Sequence, residues 1–327
     1  MSNFRWGILG TGGIASAFVN DLKLVEGHSV TAIGSRSQEK AEEFARSIPG
    51  ARAYGSYQDL VRDKDVDAIY VSTPHPFHKE HTMLALNAAK PVLCEKPFAI
   101  SAHEAQEMID AATTNKVALL EAMWTRYLPH IAQVRQILRS GVLGRIYSVE
   151  ADHGQRLVDR NIQRLVDPAL AGGALLDLGI YPVSFAHFIL GAPEKITSSS
   201  VMTDRGVDEQ TSAIFDYADG AQAVITTNMI ARTPCRAVVS GLLARLEIDS
   251  VFYNPAAMRV ITSDGQITEY PNSYIGHGLR EQAIEMARVV RSELLESPLM
   301  PWSETMAVMQ TMDQIRRQIG LSYPFEN

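Results

Sequence analysis

The sequence of 327 residues has little cysteine, no excess of positive charge and no long apolar run. Its two cysteines, Cys94 and Cys235, are too few for a disulfide framework and are typical of a reducing compartment. The formal net charge of −7 argues against a phosphate-backbone partner, which would favour a basic face. No apolar run approaches the ~18 residues that a membrane span needs. We therefore expect a cytoplasmic protein with a small-molecule substrate and no nucleic-acid or membrane partner.

The first part of the chain, residues 1–122, alternates short strand-like runs with runs of helical periodicity. The strand-like runs cover 4–10, 28–35, 66–73, 91–94 and 116–122, and the helix-like runs cover 14–25, 37–48, 77–89 and 101–115. This alternation predicts βαβ units and a doubly wound parallel sheet, the Rossmann arrangement. In such a sheet ligands bind outside the carboxyl ends of the strands, so we expect the site there.

The remaining residues, 123–327, have a different texture. After a helix-like run at 130–141 come strand-like runs at 145–152, 195–203, 211–217, 221–229, 236–241, 244–249 and 258–263, and then helix-like runs at 277–295 and 303–319. Asp219-Gly220 and Asp264-Gly265 are hairpin signals between neighbouring runs. We predict a second, α+β domain built on an open, mostly antiparallel sheet with helices on one face.

A glycine-rich loop follows the first predicted strand. Residues 10–15 read Gly-Thr-Gly-Gly-Ile-Ala, which fits G-x-G-x-x-A between a strand and a helix. Gly10 allows the tight turn, Gly12 lets a pyrophosphate approach the backbone, and Ala15 permits close helix–sheet packing. The loop therefore predicts dinucleotide binding by Gly10, Thr11, Gly12, Gly13 and Ile14.

The end of the second predicted strand indicates which dinucleotide is bound. NAD-binding versions of the fold place Asp or Glu about 20 residues after the glycines, to hold the ribose hydroxyls. Here the chain reads Ser35-Arg36-Ser37, with no carboxylate before Glu39. A guanidinium and two hydroxyls suit a 2′-phosphate, so we predict NADP rather than NAD. Ser37 also suits a helix N-cap, with Arg36 a solvated surface residue, and both interpretations can hold together.

The run Val92–Pro97, VLCEKP, ends a predicted strand with an acid, an amine and a proline. At the carboxyl end of a dinucleotide-binding sheet, a lysine can polarise a reacting hydroxyl and move its proton. We therefore predict that Lys96 is catalytic and that Glu95 orients it or balances its charge. The alternative is an exposed strand-to-loop turn that carries a salt bridge.

VLCEKP, GTGGIA and STPHPFH (72–78) together resemble the glucose–fructose oxidoreductase/inositol dehydrogenase (Gfo/Idh/MocA) family of NAD(P)-dependent dehydrogenases. The segments 53–60, 121–129 and 172–183 are most similar to the branch of dimeric dihydrodiol dehydrogenases and NADP-dependent D-xylose 1-dehydrogenases. The resemblance covers nearly the whole chain. It implies a cis Lys96–Pro97 bond, a catalytic Lys96, and a homodimer formed through the open face of the second sheet.

The resemblance also implies roles for residues that local patterns do not identify. It implies a substrate-binding second domain over residues 123–327, and a cofactor lined by Thr73, Pro74, His78, Glu95, Lys96 and Trp124. It implies that Arg126 binds substrate oxygens. Alternatively, Trp124 is core and Arg126 forms a surface ion pair. Three histidines at 75, 78 and 81 invite a zinc interpretation, but no Cys or carboxylate completes a ligand set, so we predict no metal.

The segment 171–191 carries the second set of candidate catalytic residues. Asp177 and Tyr181 are four apart and share one face of a helix, although Pro182 means that the helix either begins late or kinks. Where the family commonly has His, this chain has Tyr181, as the resembling branch does, and the branch implies that it is the acid/base. A tyrosine works near neutral pH only if a cation such as Lys96 stabilises its phenolate. Asp177 is then expected either to hold a substrate hydroxyl or to tune the pair formed by Lys96 and Tyr181.

The sequence thus predicts an NADP-dependent oxidoreductase that transfers a hydride between the nicotinamide and a secondary or hemiacetal hydroxyl. Candidate substrates are an aldose such as D-xylose, a cyclic polyol or a trans-dihydrodiol. Two alternatives remain open: a non-catalytic NAD(P)-binding regulator, and an NAD-dependent glycosidase or inositol-type dehydrogenase of the same fold. Tyr274 and His277 are further candidates for lining the substrate site.

Overall fold

A computed structural model describes residues 3–157 and 163–326. The chain forms two compact units: unit 1 comprises Met1–Tyr127 and Ile275–Thr305, and unit 2 comprises Leu128–Tyr274 and Met306–Asn327. This division differs from the single boundary predicted after Ala122, because a segment near the end of the chain folds with the first part.

Unit 1 contains a six-stranded sheet in the order β3-β2-β1-β4-β5-β6, with every neighbouring pair parallel. Its strands are β1 (Phe4–Leu9), β2 (His28–Gly34), β3 (Arg52–Tyr54), β4 (Ala68–Val71), β5 (Val92–Glu95) and β6 (Leu119–Ala122). The helices between them are α1 (Gly13–Leu22), α2 (Gln38–Ala45), α3 (Tyr57–Val61), α4 (His78–Asn87) and α5 (Ala102–Asn115). The predicted Rossmann sheet is confirmed, and β3 and α3 are additions to it.

Local sequence explains these elements. Every residue of β4, β5 and β6 is buried, as expected for strands covered on both faces, and this gives continuous apolar runs. Helices α2, α3 and α5 each begin after a serine whose hydroxyl accepts a backbone N–H three residues on: Ser37, Ser56 and Ser101. The N-cap interpretation of Ser37 is therefore correct.

Residues 275–305 join unit 1 through a buried carboxylate on α1. Asp21 accepts hydrogen bonds from the backbone N–H groups of His277 (2.8 Å), Gly278 (2.9 Å) and Arg280 (2.9 Å). These amides lie at the start of α8 (Arg280–Arg291), where a negative charge is stabilising. The predicted helix at 277–295 therefore exists in shorter form, and it belongs to unit 1.

Unit 2 contains an eight-stranded sheet in the order β14-β13-β12-β11-β7-β10-β9-β8, in which only the β7–β10 pair is parallel. Its strands are β7 (Ile146–Gly154), β8 (Lys195–Met202), β9 (Asp208–Asp216), β10 (Gln222–Asn228), β11 (Ala237–Gly241), β12 (Ala244–Ile248), β13 (Met258–Thr262) and β14 (Ile267–Tyr270). Its helices are α6 (Pro129–Ser140), α7 (Ile180–Leu190) and α9 (Trp302–Ile319), whose first turn belongs to unit 1. The predicted mostly antiparallel sheet is confirmed.

One apolar segment of unit 2 corrects an expectation from the sequence. Among the described residues, the run Pro168–Leu190 is long and apolar enough to cross a membrane by length and composition, but 83% of the apolar 18-residue window within it is buried inside the chain. Helix α7, which ends this run, packs on β7 and β10. The apolar character is therefore that of a core helix, and the statement that no run approaches this length is wrong for this segment.

Candidate cofactor and catalytic site

The glycine loop after β1 is shaped by close backbone packing. Gly10 has a φ of +112°, and a Cβ there would lie 3.1 Å from the carbonyl oxygen of Ser72. Its N–H donates to the carbonyl of Gly34 at 3.0 Å, which ties the loop to the end of β2. Any side chain at this position would meet both strain and a clash, so glycine is required.

The start of α1 is open. A Cβ at Gly12 or at Gly13 would meet nothing within 4 Å. Within the described chain no side chain caps this helix, and its first turn carries no acid. The first N–H groups and the positive end of the helix dipole therefore face open space, which fits a pyrophosphate.

The tip of β2 presents an unneutralised cation. Arg36 is exposed and has no hydrogen bond or ion pair to any described residue. Ser35 is buried beside it, and Ser37 caps α2 by accepting the N–H of Lys40 at 3.4 Å. The guanidinium is thus available to an anionic ligand, in agreement with the predicted 2′-phosphate site.

Two aromatic side chains that the sequence did not assign to the cofactor site lie within electrostatic reach of Arg36. The rings of Tyr57 and His81 meet edge to face with centroids 4.6 Å apart. Burial, followed by the positive charge of Arg36, lowers the pKa of His81 to about 4. Burial raises the pKa of Tyr57, against the effect of Arg36. Both rings are neutral near pH 7, so neither cancels the charge of Arg36.

The histidines of α4 hold the loops that follow β4 and β5. His78 is 1% exposed, and its Nε2 and Nδ1 lie 2.8 Å from the carbonyl oxygens of Thr73 and Pro97. His81 Nδ1 lies 2.9 Å from the hydroxyl of Thr73. Burial lowers the pKa of His78 to about 4, so the ring is neutral near pH 7 and donates to one carbonyl at a time. Because both nitrogens face the backbone, any effect of His78 on a cofactor passes through these loops.

The turn after β5 explains the acid beside the amine. Glu95 is buried and accepts hydrogen bonds from the hydroxyl of Tyr70 and, at 3.2 Å, from the backbone N–H of Lys96. The Lys96–Pro97 peptide bond is cis, as the resemblance implied. The side chain of Lys96 is half-buried at the carboxyl end of β5. Glu95 therefore fixes the backbone from which Lys96 projects.

Residues in β6 and just after it form buried polar contacts within unit 1. Glu121 accepts a hydrogen bond from the hydroxyl of Thr305 at 2.8 Å, and burial raises its pKa to about 7. Arg126 is 2% exposed and pairs with Glu304. The ion pair of Arg126 is thus buried rather than on the surface, and substrate binding by Arg126 stays a prediction.

Trp124 and His277 lie together in unit 1. Trp124 is buried, and the ring of the exposed His277 is tilted against it with centroids 5.1 Å apart. The backbone N–H of His277 is held by Asp21, which fixes this loop. The contact explains why Trp124 is buried, and its role beside a cofactor stays a prediction.

In unit 2, the segment with the second set of candidate residues is deformed before its proline. Leu175–Gly179 form a π-helical turn that leads into α7, and Pro182 lies in the first turn of α7. Pro182 has no N–H to give to the carbonyl of Leu178, and Nδ1 of His153 lies 3.2 Å from that oxygen instead. The structure thus resolves the alternatives for this helix: the irregularity comes just before Pro182.

Tyr181 packs in an aromatic cluster at the end of β7. Its ring centroid lies 5.2 Å from that of His153 and 4.8 Å from that of Tyr253, and these two stack at 3.9 Å. Asp177, one turn earlier, is buried and accepts a hydrogen bond from Arg164 at 3.1 Å. The structure therefore places both predicted residues in one buried segment, with Tyr181 more than half covered.

Hydrogen bonds define the protonation of this cluster. Because Nδ1 of His153 donates to the carbonyl of Leu178, its Nε2 is an acceptor for the amide of Gln155 at 2.9 Å. The same amide donates to the hydroxyl of Tyr253 at 3.0 Å. Burial raises the pKa of Tyr253 far above its ordinary value, so it stays a phenol. This cluster gave no signal in the sequence, since Tyr253 lies 98 residues from Gln155 in the chain.

Comparisons with known proteins agree with this architecture. Residues 4–123 match the GFO_IDH_MocA family, described as an oxidoreductase family with an NAD-binding Rossmann fold, and residues 131–247 match the GFO/IDH/MocA C-terminal domain. The chain is 36% identical to D-xylose 1-dehydrogenase (NADP(+)) of Hypocrea jecorina, over 98% of this chain and 93% of that protein. It is 35% identical to trans-1,2-dihydrobenzene-1,2-diol dehydrogenase of Danio rerio, over 98% of each.

A solved structure shows the same fold. The crystal structure of KijD10, a 3-ketoreductase from Actinomadura kijaniata in complex with NADP and TDP-benzene, superposes with a TM-score of 0.86. It is 27% identical, and the match covers 97% of this chain and 98% of that one.

Proposed function

Because the chain belongs to the Gfo/Idh/MocA oxidoreductase family, we propose that it is an NADP-dependent dehydrogenase acting on a secondary or hemiacetal hydroxyl of a small cyclic substrate. The predictions of the family and of an oxidoreductase are confirmed by the matches over both parts of the chain. The predicted cofactor agrees with the fungal relative, which is named for NADP, and with the 3-ketoreductase, which binds it.

The observation that carries the proposal is the carboxyl edge of the parallel sheet. This edge holds an open helix N-terminus at Gly12 and Gly13, an unpaired guanidinium at Arg36 and a half-buried amine at Lys96. The first two features suit the pyrophosphate and the 2′-phosphate of NADP. The third suits a reacting oxygen. No single turn or surface ion pair explains all three features together.

In this proposal Tyr181 and Lys96 handle the proton. Bound NADP supplies the acceptor for the hydride that leaves the substrate carbon, and the substrate hydroxyl must lose its proton. Tyr181, as a phenolate, is the proposed acceptor of this proton at Oη, and Lys96 Nζ is the proposed group that polarises a reacting oxygen.

Asp177 is the proposed substrate-orienting group. A carboxylate accepts hydrogen bonds from hydroxyls, and its partner Arg164 is partly exposed and able to give way to a ligand. The names of the relatives indicate two substrate classes, an aldose such as D-xylose and a cyclic trans-dihydrodiol. Both carry a hydroxyl next to the one that is oxidised, which suits Asp177. A cyclic polyol has the same arrangement.

Cofactor preference is the first test. We expect titration with NADPH and NADH, followed by quenching of tryptophan fluorescence, to show much tighter binding of NADPH. The variant R36A should weaken NADPH binding roughly tenfold or more and leave NADH binding nearly unchanged, because only the 2′-phosphate contact is lost. R46A, which removes an exposed arginine at the end of α2, is the matched control. Equal affinity for both cofactors, or no effect of R36A, contradicts the NADP assignment.

Assembly and location are part of the same proposal. We propose a homodimer formed through the open face of the second sheet, where Val201, Ile214 and Val224 are 52%, 42% and 41% exposed on three consecutive strands. Light scattering should give twice the mass of one chain for the wild type. The double variant I214E/V224E should give the mass of a single chain. A monomeric wild-type chain contradicts the proposed dimer.

The charge of −7 and two buried free cysteines support a cytoplasmic protein with no nucleic-acid or membrane partner.

A further inference from the structure

A buried carboxyl in unit 2 holds the segment that carries Asp177 and Tyr181. Asp208, the first residue of β9, is 0% exposed. Its Oδ2 accepts hydrogen bonds from the backbone N–H of Leu175 at 2.8 Å and from the hydroxyl of Thr211 at 2.7 Å. Leu175 is the first residue of the π-helical turn, so this bond satisfies an amide that has no partner within its own helix.

The backbone before this turn is built around the carboxyl. Gly173 has a φ of +118°, and a Cβ there would lie 2.2 Å from Oδ1 of Asp208. A Cβ at Gly172 would lie 2.7 Å from the carbonyl oxygen of Leu165. The glycine pair is therefore required by packing around Asp208 and the neighbouring backbone.

We propose that Asp208 is a positioning residue that fixes the start of the helical segment bearing Asp177 and Tyr181. A carboxylate at a helix N-terminus is stabilising and sets the first turn. An irregular π turn has no regular hydrogen-bond ladder to define its register, so an external anchor determines where the later side chains lie. This inference rests on the proposed function, because Asp208 can affect catalysis by this route only if Tyr181 and Asp177 act on the substrate.

The charges around Asp208 make its hydrogen bond sensitive to pH. Burial raises the pKa of Asp208 to about 7, while its bonds to Thr211 and Leu175 and the positive charge of Arg316 on α9 act in the opposite direction. Tyr323, which follows α9, faces the same region and stays a phenol because burial raises its pKa. Near neutral pH the carboxyl therefore passes from a neutral to an ionised acceptor, and the ionised form bonds Leu175 more strongly.

The test compares the variants D208A, D208N and T211V with the wild type in the full-length chain. Hydrogen exchange of the backbone amides of residues 174–182 measures the anchor without any turnover. Values of kcat and KM are measured with NADP⁺ and either D-xylose or a trans-dihydrodiol, on both sides of neutral pH. T211V is the matched control, because it removes the other hydrogen bond to the same oxygen and leaves the bond to Leu175 in place.

The proposal predicts a split between the kinetic constants. D208A should speed exchange of this segment and lower kcat roughly tenfold, with KM for NADP⁺ within about twofold of wild type. T211V should keep exchange of this segment near the wild-type rate. Because the Thr211 bond lowers the pKa of Asp208, its loss should move the rise of kcat to higher pH without removing it. D208N retains an oxygen that accepts the N–H of Leu175, so its exchange should be near wild type, but its kcat should lack the rise across neutral pH that ionisation of Asp208 gives.

Other outcomes overturn the proposal. Faster exchange in D208A with unchanged kcat would mean that the anchor does not act on the reacting groups. Equal losses in D208A and T211V would mean general damage to the fold. If D208A does not fold, D208N decides, since a pH profile identical to wild type removes Asp208 from the positioning of Tyr181. A wild-type chain without turnover contradicts the proposed function instead, whereas unchanged exchange in D208A contradicts the anchor, so the two failures are separate.

Discussion

Unit 1 and unit 2 hold their candidate catalytic side chains by different means. Lys96 stands at the end of a parallel strand, where Glu95 beside it and His78 on the preceding helix, α4, fix the backbone of its turn. Tyr181 stands on a helix whose start is held by Asp208, 33 residues from Leu175 in the chain. The first arrangement uses neighbours that the βαβ topology supplies. The second uses contacts between distant parts of the chain.

The difference shows how much each position tolerates change. At a strand end, the sheet fixes the height and direction of the side chain, and local hydrogen bonds adjust it. On the irregular helix, several side chains together replace the regular ladder. We therefore expect substitutions near Lys96 to change activity mainly when they alter Lys96 itself. Substitutions near Tyr181 should also change activity when they alter residues that do not contact the substrate.

The largest effect is expected from K96M. Loss of the ammonium removes the group proposed to polarise the reacting oxygen, so kcat should fall by about 10²–10⁴-fold. The dissociation constant of NADPH should be nearly unchanged, as measured by fluorescence titration. K23M, which removes an exposed lysine at the end of α1, is the control. Full turnover by K96M removes Lys96 from the mechanism.

The next effect compares two tyrosines of one cluster. Y181F should lower kcat by about 10²-fold or more, because it removes the proposed proton acceptor. Y253F should cost less than about tenfold, since burial keeps Tyr253 a phenol and its hydroxyl accepts a hydrogen bond from Gln155. The pH dependence of kcat for both variants is the measurement. Equal losses would mean that the cluster acts by packing alone.

A smaller effect is expected from H78A. The carbonyls of Thr73 and Pro97 lose their partner, which should cost about 1–3 kcal/mol of unfolding free energy in urea and lower kcat less than K96M does. H103A, on the exposed face of α5, is the control.

The depressed pKa of His78 sets the sign of its pH effect. Its contribution to stability is present above pH 6.5 and is lost as the pH falls through about 4. The urea midpoint of H78A should therefore decline less than that of the wild type over this interval. A parallel decline in both proteins contradicts a neutral buried ring.

The smallest effect on activity is expected from E121Q. The pKa of Glu121 is raised from 4.5 to about 7, so its contribution to stability is present below pH 4.5 and is lost as the pH rises through 7. The loss amounts to about 3 kcal/mol, and E121Q should remove this part of the pH dependence of the melting temperature. The kcat of E121Q should stay near the wild-type value. By contrast, the kcat of D208N should lack the wild-type rise across neutral pH. Identical melting profiles would contradict a carboxyl protonated by burial.

The sequence predicted those parts of the fold and site that depend on local patterns. The parallel sheet follows from alternating runs, the open turn follows from Gly10 and Gly12, and the cap of α2 follows from Ser37. The elements β3 and α3 were missed because they have three and five residues, too few for a periodic signal.

The remaining features depend on contacts between distant residues. Nothing near Asp208 indicates that it meets Gly173 and Leu175, and nothing near His277 indicates that Asp21 holds it in unit 1. The aromatic neighbours of Tyr181 come from β7 and from the loop after β12. Such contacts are set by tertiary packing, which single-sequence periodicity does not encode.

Pro182 has a consequence for attempts to improve this protein. Replacing a proline within a helix by alanine usually restores a hydrogen bond and straightens the helix. Here the restored N–H would compete with His153 for the carbonyl of Leu178. A released imidazole would change its tautomer and its stacking on Tyr253. A substitution that regularises the backbone is therefore expected to disturb the side chains around Tyr181.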